Sequence, residues 1–245
     1  MLLELDSVTT YRGPAQVLRG ISLAVNEDEV VCLVGRNGAG RATIIESITG
    51  LLPIRSGTIR FRNADITRLP PHKRAKRGIG YAPEDTGVFP ELTVDENLLI
   101  SRWLSETAKI AALAASDTEV RRETREVLAE FGLAAKRELL AGELAQGERK
   151  LLDVAVAYTL RPKLLFLDEP TSGVSSAEKT QIMDTVSSVV RSGAVTAVVI
   201  EHDMDVVFRY SDRIVMMHEG ALLADGPPEA IRANQTVASI LLGVS

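Results

Sequence analysis

Short apolar runs alternate along the chain with longer segments whose apolar residues recur at helical spacing. Three runs are apolar almost throughout and end at turn residues: Val30–Val34, 164–167 and 195–200. Such runs are typical of strands that are covered by helices on both faces, as in a parallel sheet. Segment 177–191 predicts one of the covering helices, with its end at Ser192-Gly193.

The first sixty or so residues follow a different pattern, in which apolar and polar positions alternate. The alternation covers segments 3–8, 21–25 and 58–62. Alternation of this kind is typical of strands with one exposed face, so these segments predict a smaller antiparallel sheet.

The middle of the chain, at about 93–159, carries no strong strand pattern. Segments 108–115 and 118–131 have helical spacing and predict a helical insertion. After it, segments 214–217 and 221–224 predict two short strands around a hairpin turn at Glu219-Gly220. We therefore expect a single α/β domain over residues 1–245, with a helical subdomain at about 93–159 inserted in its core.

Composition and charge narrow the possible functions. The chain has 245 residues, 45% of them hydrophobic, and a net charge of -5, so it is long enough for a proper core and is not expected to be disordered. An aromatic content of 4% and a sequence pI near 5.4 argue against nucleic-acid binding. No apolar run approaches the roughly 18 residues of a membrane span. The single cysteine, Cys32, lies in an apolar run and indicates a buried thiol in a cytosolic protein.

A glycine-rich segment directly after the first apolar run carries the strongest chemical signal. Glycines at this spacing let backbone N–H groups surround an anion, and the positive N-terminus of the next helix points at it. A glycine-rich turn without a ligand is the alternative interpretation. The segment reads Gly35-Arg36-Asn37-Gly38-Ala39-Gly40-Arg41-Ala42-Thr43.

Two positions depart from the usual phosphate loop, G-x-x-x-x-G-K-[ST]. Arg41 stands at the lysine position, where it keeps the charge but replaces a compact ammonium with a longer planar fork. Ala42 stands at the Ser/Thr position and has no hydroxyl for Mg²⁺. Since hydrogen bonds to charged groups contribute about 1.5–3 kcal/mol each, we expect weakened binding of Mg-ATP.

Two further signals follow the other apolar runs. Asp168 and Glu169 end the run 164–167, where Asp168 would hold Mg²⁺ through water and Glu169 would orient or deprotonate the attacking water. His202 follows the run 195–200 and suits a hydrogen bond to a γ-phosphate. An acidic turn and a turn histidine are the alternatives. Ligands of open α/β sheets bind at the carboxyl ends of parallel strands, so these residues are expected to meet the phosphate loop.

The order and spacing of the phosphate loop, the segment LLFLDEPTSG and the triplet EHD resemble the nucleotide-binding subunits of ATP-binding cassette (ABC) transporters over essentially the whole chain. The resemblance implies an α/β P-loop NTPase fold. That fold has a RecA-like, mostly parallel core sheet, an N-terminal antiparallel β subdomain and an α-helical subdomain. It also implies a dimer in which each ATP lies between the phosphate loop of one chain and a signature motif of the other.

Further positions follow from the resemblance alone. Tyr11 matches the aromatic residue that stacks on adenine, although it also suits a strand edge. Glu84 stands where the family usually has a glutamine that reaches the metal and the membrane subunit. The signature L-S-G-G-[QE] reads Leu144-Ala145-Gln146-Gly147-Glu148, so it lacks the serine hydroxyl and one glycine. The segment 172–175 matches the loop that crosses the dimer interface.

The resemblance is strongest to the ATPases of branched-chain amino-acid and urea-type importers, on the segments YAPED and FPELTVDENL. It implies an ATP hydrolase that uses ATP and Mg²⁺ and lies peripherally on the cytoplasmic face of the membrane. Expected partners are transmembrane permease subunits, a second ABC subunit and, indirectly, a solute-binding protein, with no role for nucleic acid. The alternative is a degenerate subunit that binds nucleotide weakly and acts as a structural or regulatory partner.

Overall fold

The computed structural model describes residues 1–85, 87–106 and 113–242. In this described part of the chain, ten strands form two sheets: β1 (Leu3–Arg12), β2 (Ala15–Val25), β3 (Val30–Val34), β4 (Ile54–Phe61), β5 (Ala64–Asp65), β6 (Ile79–Ala82), β7 (Leu164–Asp168), β8 (Thr196–Ile200), β9 (Arg213–His218) and β10 (Ala221–Gly226). The helices within the described ranges are α1 (Arg41–Thr49), α2 (Pro71–Ala75), α3 (Val94–Glu106), α4 (Leu113–Glu130), α5 (Gln146–Thr159), α6 (Ser176–Ser192), α7 (Met204–Tyr210), α8 (Pro228–Ala233) and α9 (Gln235–Leu242). Within these ranges, no helix combines the length and apolar character that crossing a membrane requires.

The strand directions in the two sheets are those that the hydrophobic pattern predicts. The smaller sheet has the order β2-β1-β4-β5 and is antiparallel at every pairing. The larger has the order β10-β9-β3-β8-β7-β6, with all pairs parallel except the edge hairpin β9–β10. These sheets confirm the predicted P-loop NTPase architecture.

Both faces of the larger sheet are buried, which explains its continuous apolar strands. Along β3, Cys32 and Val34 face a cluster formed with the helices α5 and α6, whereas Val31 and Leu33 face the opposite side. That opposite cluster includes the apolar side chains of α1 and the inner face of the antiparallel sheet. Helix α1 is therefore held between the two sheets, and its N-terminus is fixed beside the end of β3.

The C-terminal end of α1 is closed by a buried arginine. Arg74 is 3% exposed and donates to the carbonyl oxygens of Ser47 at 2.7 Å and of Ile48 at 2.8 Å. A cation at a helix C-terminus satisfies orphan carbonyls and complements the helix dipole. This basic residue, which belongs to a charged stretch in the sequence, has a structural role.

Most of the predicted elements form, with two differences. Segment 118–131 lies in α4 as far as Glu130, whereas the predicted helix at 108–115 falls partly outside the described residues. Helix α6 ends at Ser192 as expected, yet Gly193 is right-handed with φ -80° and Ala194 takes the left-handed conformation, φ 47°. A Cβ at residue 193 would lie 2.4 Å from the hydroxyl oxygen of Tyr158, so a larger residue there would require the tyrosine side chain to shift. The exact limits of the helical subdomain stay a prediction.

Candidate functional site

The glycine-rich segment forms a tight loop between β3 and α1. A Cβ at Gly35 would lie 2.4 Å from the carbonyl oxygen of Met217, and one at Gly40, where φ is 104°, would lie 3.0 Å from Leu18. The loop is thus backed by β9 on one side and by β2 on the other. Because only glycine fits at both positions, the backbone can turn tightly between β3 and the N-terminus of α1, where an anion is favoured.

The turn between β9 and β10 fastens this loop to both sheets. The Gly220 N–H donates to the carbonyl oxygen of Ala39 at 3.1 Å, and the Gly220 carbonyl accepts from the Arg19 N–H of β2 at 2.9 Å. Glu219 and Gly220 have φ of 47° and 78°, as expected for the predicted hairpin turn.

An open cleft of about 650 Å³ lies at the carboxyl ends of β3, β7 and β8. It brings together residues that the sequence places far apart, as the strand-end argument predicts. Its lining is Arg12, Val17, Asn37, Gly38, Gly40, Arg41, Ala42, Thr43, Glu84, Asp168, Glu169, Ile200 and His202. Gly35 and Arg36 line an adjoining cleft that also includes His202, and Ala39 is buried beneath the loop.

Glu169 is held between two basic side chains. Its Oε1 lies 3.6 Å from Arg41 Nη2, and its Oε2 lies 3.4 Å from His202 Nδ1. The Arg41 guanidinium also donates to Asn37 Oδ1 at 3.2 Å and to the Glu201 carbonyl oxygen at 3.5 Å. Because Arg41 is 8% exposed, this pair lies in a poorly hydrated part of the cleft, where charges interact more strongly than in water.

Glu169 has a strained backbone conformation. Its φ of 48° is left-handed, a conformation that costs a non-glycine residue about 1 kcal/mol or more. The Glu169 N–H donates to the carbonyl oxygen of Ile200 at 3.0 Å, which fixes the residue against β8. Nearby, the fully buried Glu201 accepts from the Thr171 hydroxyl at 2.6 Å and from its N–H at 3.2 Å. The strand end and the loop after it are therefore locked together.

Asp168 and Glu84 also line the cleft, and their carboxylate oxygens are ligands suited to Mg²⁺. Burial and the neighbouring carboxylates of Glu169 and Glu84 raise the pKa of Asp168, against a hydrogen bond from Tyr81 at 3.2 Å. A divalent cation would offset this crowding of negative charge. Within the described ranges, no group of three or more His, Cys, Asp or Glu residues forms a metal cage. The donors present fit an ion that keeps several water and phosphate ligands, as Mg²⁺ commonly does.

Tyr11 and the signature segment lie outside this cleft. Tyr11 is 39% exposed on β1 and does not line the cleft, although its neighbour Arg12 does. The signature residues Leu144–Glu148 lead into α5, which begins at Gln146. Their separation from the cleft agrees with the expectation that they act on a partner's nucleotide, and their role stays a prediction.

The signature's two departures have visible local consequences. Ala145 occupies the N-cap of α5 and offers no side-chain acceptor, although Glu148 Oε2 still accepts from the Ala145 N–H at 3.2 Å. The Gln146 side chain lies against the loop after β7, where a Cβ on Gly173 would come 2.4 Å from Gln146 Nε2. A larger residue at 173 would require the end of the Gln146 side chain to move.

Besides Ile200, which ends β8 and lines the cleft, sequence reasoning missed three residues of the site. Arg12 and Val17 come from the antiparallel sheet and line the cleft, and Glu201 lies buried below it. Glu201 directly follows an apolar strand, and this position was a signal that the acid is buried and needs hydrogen-bond partners. No local signal marks Arg12, because its partners belong to α1.

Comparisons with known proteins find a matching family model, relatives that cover nearly the whole chain and similar solved structures. The family model described as "ABC transporter" matches residues 18–172. The high-affinity branched-chain amino acid transport ATP-binding protein BraF of Pseudomonas aeruginosa is 34% identical over 249 residues, covering 99% of this chain and 98% of BraF. The corresponding protein LivG of Salmonella typhimurium is 31% identical over the same shares of both chains. The solved ADP conformation of the ATP-binding cassette MJ1267 has a TM-score of 0.88 at 29% identity and covers 99% of this chain and 98% of its own.

Proposed function

Because the chain belongs to the ABC transporter family, we propose that it is the ATP-hydrolysing subunit of a membrane importer for branched-chain amino acids or similar small solutes. The cleft carries this proposal, since it joins a phosphate loop to a carboxylate that is backed by a histidine. The solute class rests on BraF and LivG, which are both named for high-affinity transport of branched-chain amino acids.

Each cleft residue has a role that its position supports. The loop from Gly35 to Thr43 binds the phosphates through backbone N–H groups and the N-terminus of α1. Glu169 orients the attacking water and accepts its proton, and His202 holds the far oxygen of that carboxylate. A bound phosphate competes with Glu169 for Arg41, so binding releases the carboxylate oxygen that activation of water needs.

ATP is used together with Mg²⁺, which neutralises charge on the phosphates during transfer. Asp168 and Glu84 are the residues that would hold the ion, with Asp168 acting through water. Ala42 adds no ligand, so water takes the place of the usual hydroxyl. The consequence is a site with fewer protein ligands and weaker retention of the metal–nucleotide pair.

Two observations favour the alternative of a degenerate structural or regulatory partner. Arg41 is engaged by Glu169, and Ala42 lacks a metal-binding hydroxyl. The presence of Glu169 and His202 and the full-length similarity to transport ATP-binding proteins favour hydrolysis instead. We therefore expect slow turnover rather than none, with a rate that depends on the partner subunits.

The partners proposed for this chain are transmembrane permease subunits and a second ABC subunit, with a solute-binding protein engaged indirectly. The exposed apolar side chains of Phe89, Leu139 and Leu140 are proposed to form the permease-docking surface. Its two segments are joined by backbone hydrogen bonding, in which the Val94 N–H donates to the Leu139 carbonyl oxygen at 3.0 Å. Docking there would hold the chain peripherally at the cytoplasmic face of the membrane.

Titration of Mg-ATP into the purified chain, beside an Arg41→Lys, Ala42→Thr double variant, tests the nucleotide site. We expect the double variant to bind at least about tenfold more tightly, because it regains a compact phosphate-binding cation and a metal-binding hydroxyl. Glu169→Gln serves as the hydrolysis control, since it should abolish phosphate release while nucleotide still binds. Absence of Mg-ATP binding by both proteins would refute the proposed function.

A further inference from the structure

Arg12 brings a second guanidinium to the phosphate cleft from outside the phosphate loop. It is the last residue of β1 and lines the cleft opposite the carboxyl ends of the parallel strands. Its Nε donates to the Thr43 hydroxyl oxygen at 3.2 Å, and its Nη2 pairs with Glu46 Oε2. Both partners lie on α1, so the arginine spans from the antiparallel sheet to the helix that follows the loop.

These two contacts orient the guanidinium without using it up. Arginine carries five N–H donors in a rigid plane, and Nε and Nη2 are the donors engaged within the described ranges. The side chain is 48% exposed, so the other donors can reach a ligand in the cleft. Glu46 and Thr43 thus restrict the rotamers of Arg12, which lowers the entropic cost of a further hydrogen bond.

The cleft has fewer basic than acidic side chains, so the guanidinium of Arg12 matters for binding an anion. Among its described lining residues, Arg12 and Arg41 are the arginine and lysine side chains, against the carboxylates of Glu84, Asp168 and Glu169. Arg41 is already bound to Glu169 and to the loop. A polyphosphate in the cleft must therefore compete with Glu169 for Arg41, whereas it does not compete with Glu169 for Arg12.

We propose that Arg12 is a phosphate-binding residue, which binds the phosphates of the nucleotide that are not transferred. Arg12 is anchored to Thr43 and Glu46 on α1, whereas the water-activating Glu169 lies beside Arg41 at the start of that helix. The phosphates near Arg12 are accordingly those that ATP and ADP share. This inference rests on the proposed function and adds a recognition residue to the same site.

Fluorescence titrations of Mg-ATP and Mg-ADP into the full chain test the inference with four variants. Arg12→Gln should weaken both nucleotides equally, by about tenfold, because the lost charged hydrogen bond is common to the two complexes. Arg12→Lys should recover part of the loss. Arg19→Gln removes the same charge from an exposed position on β2 that does not line the cleft, and it should change neither affinity.

Glu46→Gln separates phosphate binding from a structural role of the ion pair. It breaks the Arg12–Glu46 charge pair but keeps the guanidinium, so both affinities should stay within about threefold of wild type. The inference is overturned if Glu46→Gln and Arg12→Gln weaken binding equally, or if Arg12→Gln binds like wild type. A wild-type chain that binds neither nucleotide contradicts the proposed function itself, which distinguishes the two failures.

Discussion

The contact between Arg41 and Glu169 makes nucleotide affinity depend on a carboxylate that does not touch the loop backbone. A phosphate that binds at the loop must take Arg41 from Glu169. Removing the carboxylate charge with Glu169→Gln should therefore tighten binding when residue 41 is arginine. The effect should be much smaller with Arg41→Lys, because lysine ends one bond earlier and cannot hold Asn37, the Glu201 carbonyl and Glu169 together.

The magnitude follows from the geometry. Unit charges 3.6 Å apart attract by about 5 kcal/mol at an effective dielectric constant of about 20. Desolvation of both groups offsets most of this attraction, which leaves a coupling of about 1–2 kcal/mol for a partly buried pair. This coupling corresponds to a factor of about five to thirty in affinity. Glu169→Gln should tighten binding by that factor in the arginine protein.

The assay is a double-mutant cycle on four proteins: wild type, Arg41→Lys, Glu169→Gln and the double variant. The ligand is the magnesium complex of a non-hydrolysable ATP analogue, so that turnover does not distort the titrations. Glu229→Gln on α8 is the matched charge control and should change nothing. If Glu169→Gln alters affinity by the same factor with arginine and with lysine at position 41, the competition between Glu169 and phosphate does not exist.

Three further predictions concern the signature and the core. Ala145→Ser should raise the free energy of unfolding by about 1 kcal/mol, because serine caps α5; an unchanged urea midpoint would contradict this. Gly173→Ala should destabilise the chain by about 1–3 kcal/mol through its φ of 76° and its contact with Gln146. Adding Gln146→Gly should restore the part due to contact, and no recovery would disprove the clash. Burial raises the pKa of the Cys32 thiol from 9.0 to about 12, so the folded state keeps a proton that the unfolded state loses. Stability should then fall as pH rises from about 9 towards 12 at about 1.4 kcal/mol per pH unit, less steeply in Cys32→Val; parallel profiles would exclude the thiol as the cause.

Local patterns in the sequence were sufficient to predict most of the helices and strands and most of the residues that line the cleft. The apolar run of β3 and the glycines after it predict a strand, a loop and a helix because each depends on neighbouring residues. The meeting of Asp168 and His202 with the loop follows from one general rule about parallel strands. The structure contains the predicted strand, loop and helix and places these residues around one cleft, whereas the chemical roles of Asp168 and His202 stay predictions.

Features that depend on distant partners could not be predicted in this way. Helix capping rules place a left-handed glycine at 193, whereas the close contact that residue 193 makes is with the Tyr158 hydroxyl, which lies far away in the sequence. Arg12 is held at the cleft by contacts with Thr43 and Glu46, which lie on α1, far from Arg12 in the sequence. The engagement of Arg41 by Glu169 likewise depends on which carboxylate the folded sheet brings within reach.

The fastening of the phosphate loop by the β9–β10 turn bears on how the protein matures during synthesis. Ala39 leaves the ribosome long before Gly220, whose N–H donates to the Ala39 carbonyl oxygen. The neighbours of β3, namely β8 and β9, are also late. Since N-terminal segments can fold only with the partners already made, nascent chains that stop short of residue 220 should lack a formed loop. Nucleotide would then stabilise finished chains selectively, and truncated products would remain open to proteolysis.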